Sequence, residues 1–126
     1  MDDRRIVKIA IITCVYGRPL IFRLFLKWFL FLRYNLADRF DLRLYCGGSV
    51  NDQDGECYKI FNAIIGNFGT WVESSNEPLG KKWNNTLVSA KEREFDYFMI
   101  LGSDDFPSIS LFNTYFQYLD GKYNFI

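Results

Sequence analysis

Two hydrophobic rhythms alternate along the chain. Short, nearly continuous apolar runs read as strands covered on both faces, and longer stretches with apolar residues every three or four positions read as helices. The first run, residues 6–13, is β-branched and stops at Cys14-Val15-Tyr16-Gly17-Arg18-Pro19. Pro19 suits a first helical turn, so residues 20–36 are predicted as a helix, with Arg23 and Lys27 one turn apart on one stripe. Over residues 41–46 the period falls to two, placing Leu42, Leu44 and Cys46 on one face of a strand that gives way to Gly47-Gly48-Ser49. Polar residues 51–55 offer caps to a helix with Phe61, Ile64, Ile65 and Phe68 on a shared face. Residues 70–74 form a third strand that opens into Ser75-Asn76-Glu77-Pro78-Leu79-Gly80, and the next helix sets Trp83, Leu87 and Ala90 at core spacing. A fourth strand, residues 97–101, is expected to be buried on both faces and to deliver Gly102, Ser103, Asp104 and Asp105 at its carboxyl end. Ser108 or Ser110 caps a further helix with Phe112, Tyr115, Phe116 and Leu119 inward, and residues 123–126 begin a fifth strand.

Strands and helices taken in turn imply right-handed crossovers and a three-layer α/β sandwich around a mostly parallel sheet. With 126 residues, 49% of them hydrophobic, the chain can furnish one domain with a substantial core. No repeat, linker or low-complexity tract divides it. Its apolar end, without a polar tail, gives the expectation that residues 1–126 are the front part of a longer protein, or a minimal form of one. The stretch from Leu20 to Leu32 approaches the apolar density of a membrane span. Arg23, Lys27 and Arg33 interrupt it, and it falls short of the roughly 20 residues a span needs. No transmembrane span is expected; burial against the sheet is the first reading, and a helix lying on a membrane surface the second. The amino-terminal run ends in a turn without a small-residue cleavage pattern, so it reads as a strand rather than a signal peptide. A cytoplasmic location, or a peripheral one on a membrane, follows as the expectation.

Composition then removes whole classes of chemistry. The absence of histidine excludes Ser-His and Cys-His nucleophilic pairs and histidine metal ligands. Fifteen basic and fifteen acidic residues cancel, so nothing in the bulk charge attracts nucleic acid. Cys14, Cys46 and Cys57 contain no close CxxC pair; free thiols in a reducing compartment are expected, and any metal must be held by oxygen or thiolate.

Parallel sheets of this kind bind ligands outside the carboxyl ends of their strands, where the strand order switches direction. Four loops are expected on that edge: residues 13–19, 46–52, 74–82 and 102–107. Together they collect glycines, amides, basic groups and the Asp104-Asp105 pair. Each residue also has an ordinary explanation. The two acids can be a solvated turn, Arg18 a packing residue beside Pro19, Asn84 and Asn85 solvent-facing, and Gly80 a relief of backbone strain. Trp83 reads better as core than as a stacking platform. Lys81 and Lys82 at a helix start oppose its dipole unless an anion lies nearby, so a phosphate contact and plain solvation weigh equally. No dinucleotide glycine fingerprint and no GxxxxGK[ST] loop is present.

Thr13-Cys14-Val15-Tyr16-Gly17-Arg18-Pro19 after the first strand, Asn76-Glu77-Pro78-Leu79-Gly80-Lys81-Lys82-Trp83-Asn84 before the third helix, and the strand ending in Ser103-Asp104-Asp105 together resemble the nucleotide-sugar-binding half of a GT-A glycosyltransferase of the broad family-2 type. The resemblance covers nearly the whole chain in the right order. It implies a Rossmann-like GT-A nucleotide-diphospho-sugar transferase fold in truncated form, residues 1–126 being the donor-binding N-terminal part. In that family the DXD-like motif ending the fourth strand holds a divalent cation on the donor diphosphate. Asp105 matches the metal-binding acid, with Mn2+ or Mg2+ as the cofactor, and Asp104 would lie near the donor's ribose or sugar; a serine stands where the first aspartate usually does. The first loop would bring Thr13, Cys14, Tyr16 and Arg18 to the nucleotide, and the later segment Gly80, Lys82 and Asn84 to the base and diphosphate. The family's usual acid after the second strand is replaced by Cys46-Gly47-Gly48-Ser49, leaving Asp52 as a substitute.

The implied function is metal-dependent transfer of a sugar from a nucleoside-diphosphate sugar, UDP or another base, to a hydroxyl on a carbohydrate or lipid-linked acceptor. The catalytic base is expected outside the chain, so the isolated piece would bind donor and transfer feebly. Two alternatives stand beside it. One is a non-catalytic α/β module that binds a partner, or a second copy as a homodimer, through its apolar first helix or an open sheet edge; dimerisation without a nucleotide-induced thermal shift would mark it. The other is a sugar nucleotidyltransferase, which the lack of a glycine-rich phosphate loop after the first strand argues against.

Overall fold

The computed structural model describes residues 6–15, 17–49, 54–74 and 79–102. Four strands, β1 (Val7–Cys14), β2 (Phe40–Gly48), β3 (Gly69–Glu73) and β4 (Tyr97–Ile100), form an all-parallel sheet in the order β3-β2-β1-β4. Three helices connect them: α1 (Pro19–Leu36), α2 (Gly55–Ile64), followed by a 3-10 turn at Gly66–Phe68, and α3 (Leu79–Lys91). The expected α/β architecture with a parallel sheet is therefore present. The predicted helix after Ser108 or Ser110 and the fifth strand at residues 123–126 lie outside the described residues.

The direction of travel explains the layers. From β1 to β3 the chain steps one way, and α1 and α2 cover one face, burying Ile9, Ile11, Leu42, Leu44 and Cys46. From β3 the chain returns past β2 and β1 to β4, and α3 covers the opposite face over Ala10, Ile12 and Tyr45. Right-handed crossovers running in opposite directions must place their helices on opposite faces. Leu42, Leu44 and Cys46 share a face as their alternation predicts, and Trp83, Leu87 and Ala90 face the sheet.

Helix α1 begins at Pro19 and buries Phe22, Phe25, Leu26, Phe29, Leu32 and Leu36. Phe22 stacks on Phe25 and meets Trp71 of β3 edge-on. The reading that this helix is buried against the sheet holds for that side only, because Leu20, Leu24, Phe31 and Tyr34 are exposed. Near its carboxyl end, Arg33 bonds Asp41 of β2 at 2.9 Å, and Arg43 reaches the same carboxylate at 3.2 Å. Desolvation alone would push the Asp41 carboxyl up, but the hydrogen bond from Arg33 and the charges of Arg43 and Arg33 together bring it below its ordinary value.

Three expectations need correction. Phe68 does not share the buried face of Phe61. The helix ends at Ile64, Gly66 turns at φ 54°, and Phe68 lies exposed under the Arg33 guanidinium, 4.1 Å from the ring centre. Strand β4 is not buried on both faces: Ile100 is 60% exposed, and among the described residues α3 packs mainly over β2 and β1. Third, Gly47 and Gly48, counted in the loop of residues 46–52, are the last two residues of β2. A Cβ on Gly47 would stand 2.0 Å from Thr86 Oγ1, and one on Gly48 2.6 Å from the Trp71 ring. The glycines allow α3 to approach one face of the strand and Trp71 the other. Gly47→Ala is thus expected to destabilise by about 1–3 kcal/mol through overpacking, and adding Thr86→Ala should recover part of that loss. Urea midpoints of the three variants provide the check; no recovery in the double variant would refute the contact.

Candidate functional site

The carboxyl edge of the sheet is assembled from three loops pulled together by one buried ion pair. After Val15, which donates its N–H to Gly47 O, the chain turns through Gly17 at φ 69° and Arg18 at φ 54°, ψ 60°. A left-handed conformation at a non-glycine residue costs about 1–2 kcal/mol. Neighbouring contacts fix it: Gly17 N–H donates to Asp54 Oδ1 at 2.9 Å, Gly17 O accepts the Cys57 thiol at 3.2 Å, and Arg18 O accepts the first helical N–H, from Phe22.

Asp54 occupies the cap position of α2, yet its side chain makes no cap hydrogen bond. The carboxylate turns inward to the strand ends instead. Besides Gly17 N–H it accepts Ser49 N–H at 3.2 Å and Lys82 Nζ at 3.1 Å, and Lys82 Nζ also donates to Val15 O. Both side chains of the pair are fully buried. This links the loop after β1, the loop after β2 and the first turn of α3. It also resolves the unfavourable position of a lysine at a helix start, since the compensating anion is an internal carboxylate.

Further polar contacts extend the same edge. Thr86 Oγ1 donates to Lys82 O at 2.8 Å and lies 3.7 Å from Cys14 Sγ. Asn85 Nδ2 donates to Ser74 Oγ at 3.1 Å, and Ser74 N–H to Gly48 O. On the other face of β2, Trp71 Nε1 donates to Gly48 O. Leu101 N–H bonds Ile12 O, so the backbone leaving β4 stays beside β1 up to the edge.

The residues singled out from sequence fall into distinct settings. Thr13 is fully buried at the end of β1, and among the described residues its Oγ1 is the buried side-chain atom left without a hydrogen-bond partner. Cys14 is buried, and desolvation raises its thiol above the ordinary range. Arg18 is exposed at the start of α1, Gly80 lies in the first turn of α3, and Asn84 is exposed on that helix. Plain solvation does not describe Lys82, which is buried against Asp54, whereas Lys81 is exposed. Tyr16, Asp52, Asp104 and Asp105 lie outside the described residues. Asp54 had been counted only as one polar residue of a capping loop, although it organises the edge.

The cysteines are free and buried. Burial, then the negative charges of Asp54 and Glu56, push the Cys57 thiol up to about 11, and burial drives Cys46 well above its usual value. These thiols are therefore neutral near pH 7, which disfavours a nucleophilic role. Among the described residues no group of three carboxylate or cysteine side chains is placed to hold a metal, and none of the helices is long and apolar enough to cross a membrane. A cavity of about 460 Å³ lies at the opposite edge of the sheet, lined by Lys8, Asp41, Arg43, Tyr45, Thr70 and Arg93. Its charges are partly paired internally through Arg43 and Asp41, and it contributes nothing to the carboxyl edge. Comparison with known proteins returned no matching family model, no matching curated protein and no matching solved structure.

Proposed function

We propose that the chain is the donor-binding part of a GT-A glycosyltransferase, holding a nucleoside-diphosphate sugar at the carboxyl edge of its sheet. The observation that supports this reading best is the strand order. The sheet reverses direction between β1 and β4, the place where open parallel sheets bind ligands, and in sequence Ser103-Asp104-Asp105 follow directly on Gly102 after β4. The first-strand loop and the start of α3, which carry the other resembling segments, lie on that same edge.

The donor set bears on the metal. Asp54 is already occupied by three donors, two of them backbone amides, so the cation would fall to Asp105, with Asp104 toward the sugar. Carboxylate and phosphate oxygens suit magnesium or manganese, and when bound such an ion neutralises the charge that develops on the departing diphosphate. In this reading the Asp54–Lys82 pair holds the loops in place and Arg18 faces the donor from the start of α1.

Calorimetric titration with UDP and other nucleoside diphosphates, with and without manganese, tests the reading. Manganese-dependent binding is expected, weakened at least about tenfold by Asp105→Ala. Absence of nucleotide binding, or unchanged metal-dependent affinity in that variant, would exclude it.

A further inference from the structure

Helix α1 is apolar on both sides, but the fold uses one. Opposite its buried face, Leu20, Leu24, Phe31 and Tyr34 are 77%, 59%, 59% and 82% exposed. With Lys27 they follow one another at steps of four and three residues, which forms a continuous stripe on a helix. Ile21 and the exposed Arg23 flank it. At about 1.5 Å per residue, the stripe runs roughly 21 Å along the molecule. An amphipathic surface helix normally turns a polar face outward, and packing among the described residues gives these side chains no role.

The charges on the helix identify what suits this face. Arg23, Lys27 and Arg33 are its ionisable groups apart from Tyr34, and no acidic residue occurs in it. Arg33 is committed to Asp41, leaving Arg23 and Lys27 on the outer side. Exposed carboxylates occur next to the helix rather than on it: Asp38 in the turn that follows and Glu56 in the first turn of α2, with Arg39 and Lys59 beside them. A two-fold dimer through the face would bring two copies of Arg23 and Lys27 together with no carboxylate on the stripe to offset them. An anionic bilayer surface meets both halves of the pattern. Its acyl boundary takes Leu20, Leu24 and Phe31, and its phosphates take the basic groups, whose methylene stems lie along the apolar surface.

We infer that the outer face of α1 is a docking surface for an anionic lipid membrane, on which the helix lies without crossing. The inference stands independently of the nucleotide-sugar reading. It also gives the carboxyl edge a position, because Leu20, Ile21 and Leu24 occupy the end of α1 adjoining the Gly17-Arg18 loop.

Co-sedimentation of the full chain with vesicles tests it, comparing pure phosphatidylcholine with phosphatidylcholine containing phosphatidylglycerol. The chain should sediment with the anionic vesicles, and raised salt should weaken binding. Arg23→Gln with Lys27→Gln should lower the affinity about thirtyfold. Leu24→Asp with Phe31→Asp should abolish sedimentation while circular dichroism shows an unchanged fold. Were that second variant to misfold, the charge variant still decides. No binding to anionic vesicles, or binding indifferent to the loss of Arg23 and Lys27, overturns the inference. So does a dimer seen by light scattering that Leu24→Asp with Phe31→Asp breaks in a chain that binds no vesicles, since the face would then be a protein interface.

Discussion

Asp54→Ala is expected to destabilise the chain by about 3–5 kcal/mol, because it removes the carboxylate paired with the fully buried Lys82 ammonium. Against a total stability of about 5–15 kcal/mol, that is a large share, and at the low end of the range it leaves the fold marginal. Lys82→Met should cost less. The Asp54 carboxylate would keep the N–H groups of Gly17 and Ser49, which go on stabilising its charge. The double variant removes both charges of the pair together, so its loss should fall well below the sum of the single losses. Urea unfolding of all four proteins measures the coupling. Additivity within about 0.5 kcal/mol would mean that the pair does not hold the edge together. Asp54→Ala also removes the acceptor for Gly17 N–H, so the left-handed turn at Gly17 and Arg18 should loosen and amide exchange at Gly17 should accelerate.

Most of the framework was legible in the sequence because strands and helices write local signals. The continuous run in β1, the alternation of Leu42, Leu44 and Cys46, and Pro19 at the start of α1 each state their element within a few residues. The connection pattern then requires parallel strands. Strand order is not local, but it follows from crossover handedness once α1 and α2 lie on one face and α3 on the other.

The misread positions have a common origin. Gly47 and Gly48 carry the composition of a turn, and only the approach of Thr86 and Trp71 shows why a strand ends in two glycines. Asp54 and Lys82 are 28 residues apart, and each has a plausible surface role alone, as a helix cap and as a solvated lysine. Burial of the pair depends on the loops after β1 and β2 meeting the start of α3, and no window of the sequence contains that meeting. Phe68 matched the periodicity of α2, but the left-handed Gly66 ends the helix and turns the ring outward. For the candidate site, the sequence placed Thr13, Cys14, Arg18 and Lys82 near the strand ends where the structure has them, and it missed the Asp54–Lys82 ion pair there.

Phe29→Ala supplies the other large effect, an expected loss of about 3–5 kcal/mol, since the ring is fully buried between α1 and the sheet and its removal leaves a cavity. Phe31→Ala, two residues further along the same helix, should change stability by no more than about 0.5 kcal/mol, because 59% of that residue already meets solvent. Denaturant midpoints for the two variants compare the faces directly, and equal losses would show that Phe31 belongs to the core. The contrast separates two explanations for the composition of α1. If its phenylalanines and leucines were all required for folding, inner and outer substitutions would cost alike. An inner ring that carries the stability and an outer ring that carries almost none leaves Leu20, Leu24 and Phe31 without a folding role, and their presence beside Arg23 and Lys27 then has to be explained by what the helix meets from outside.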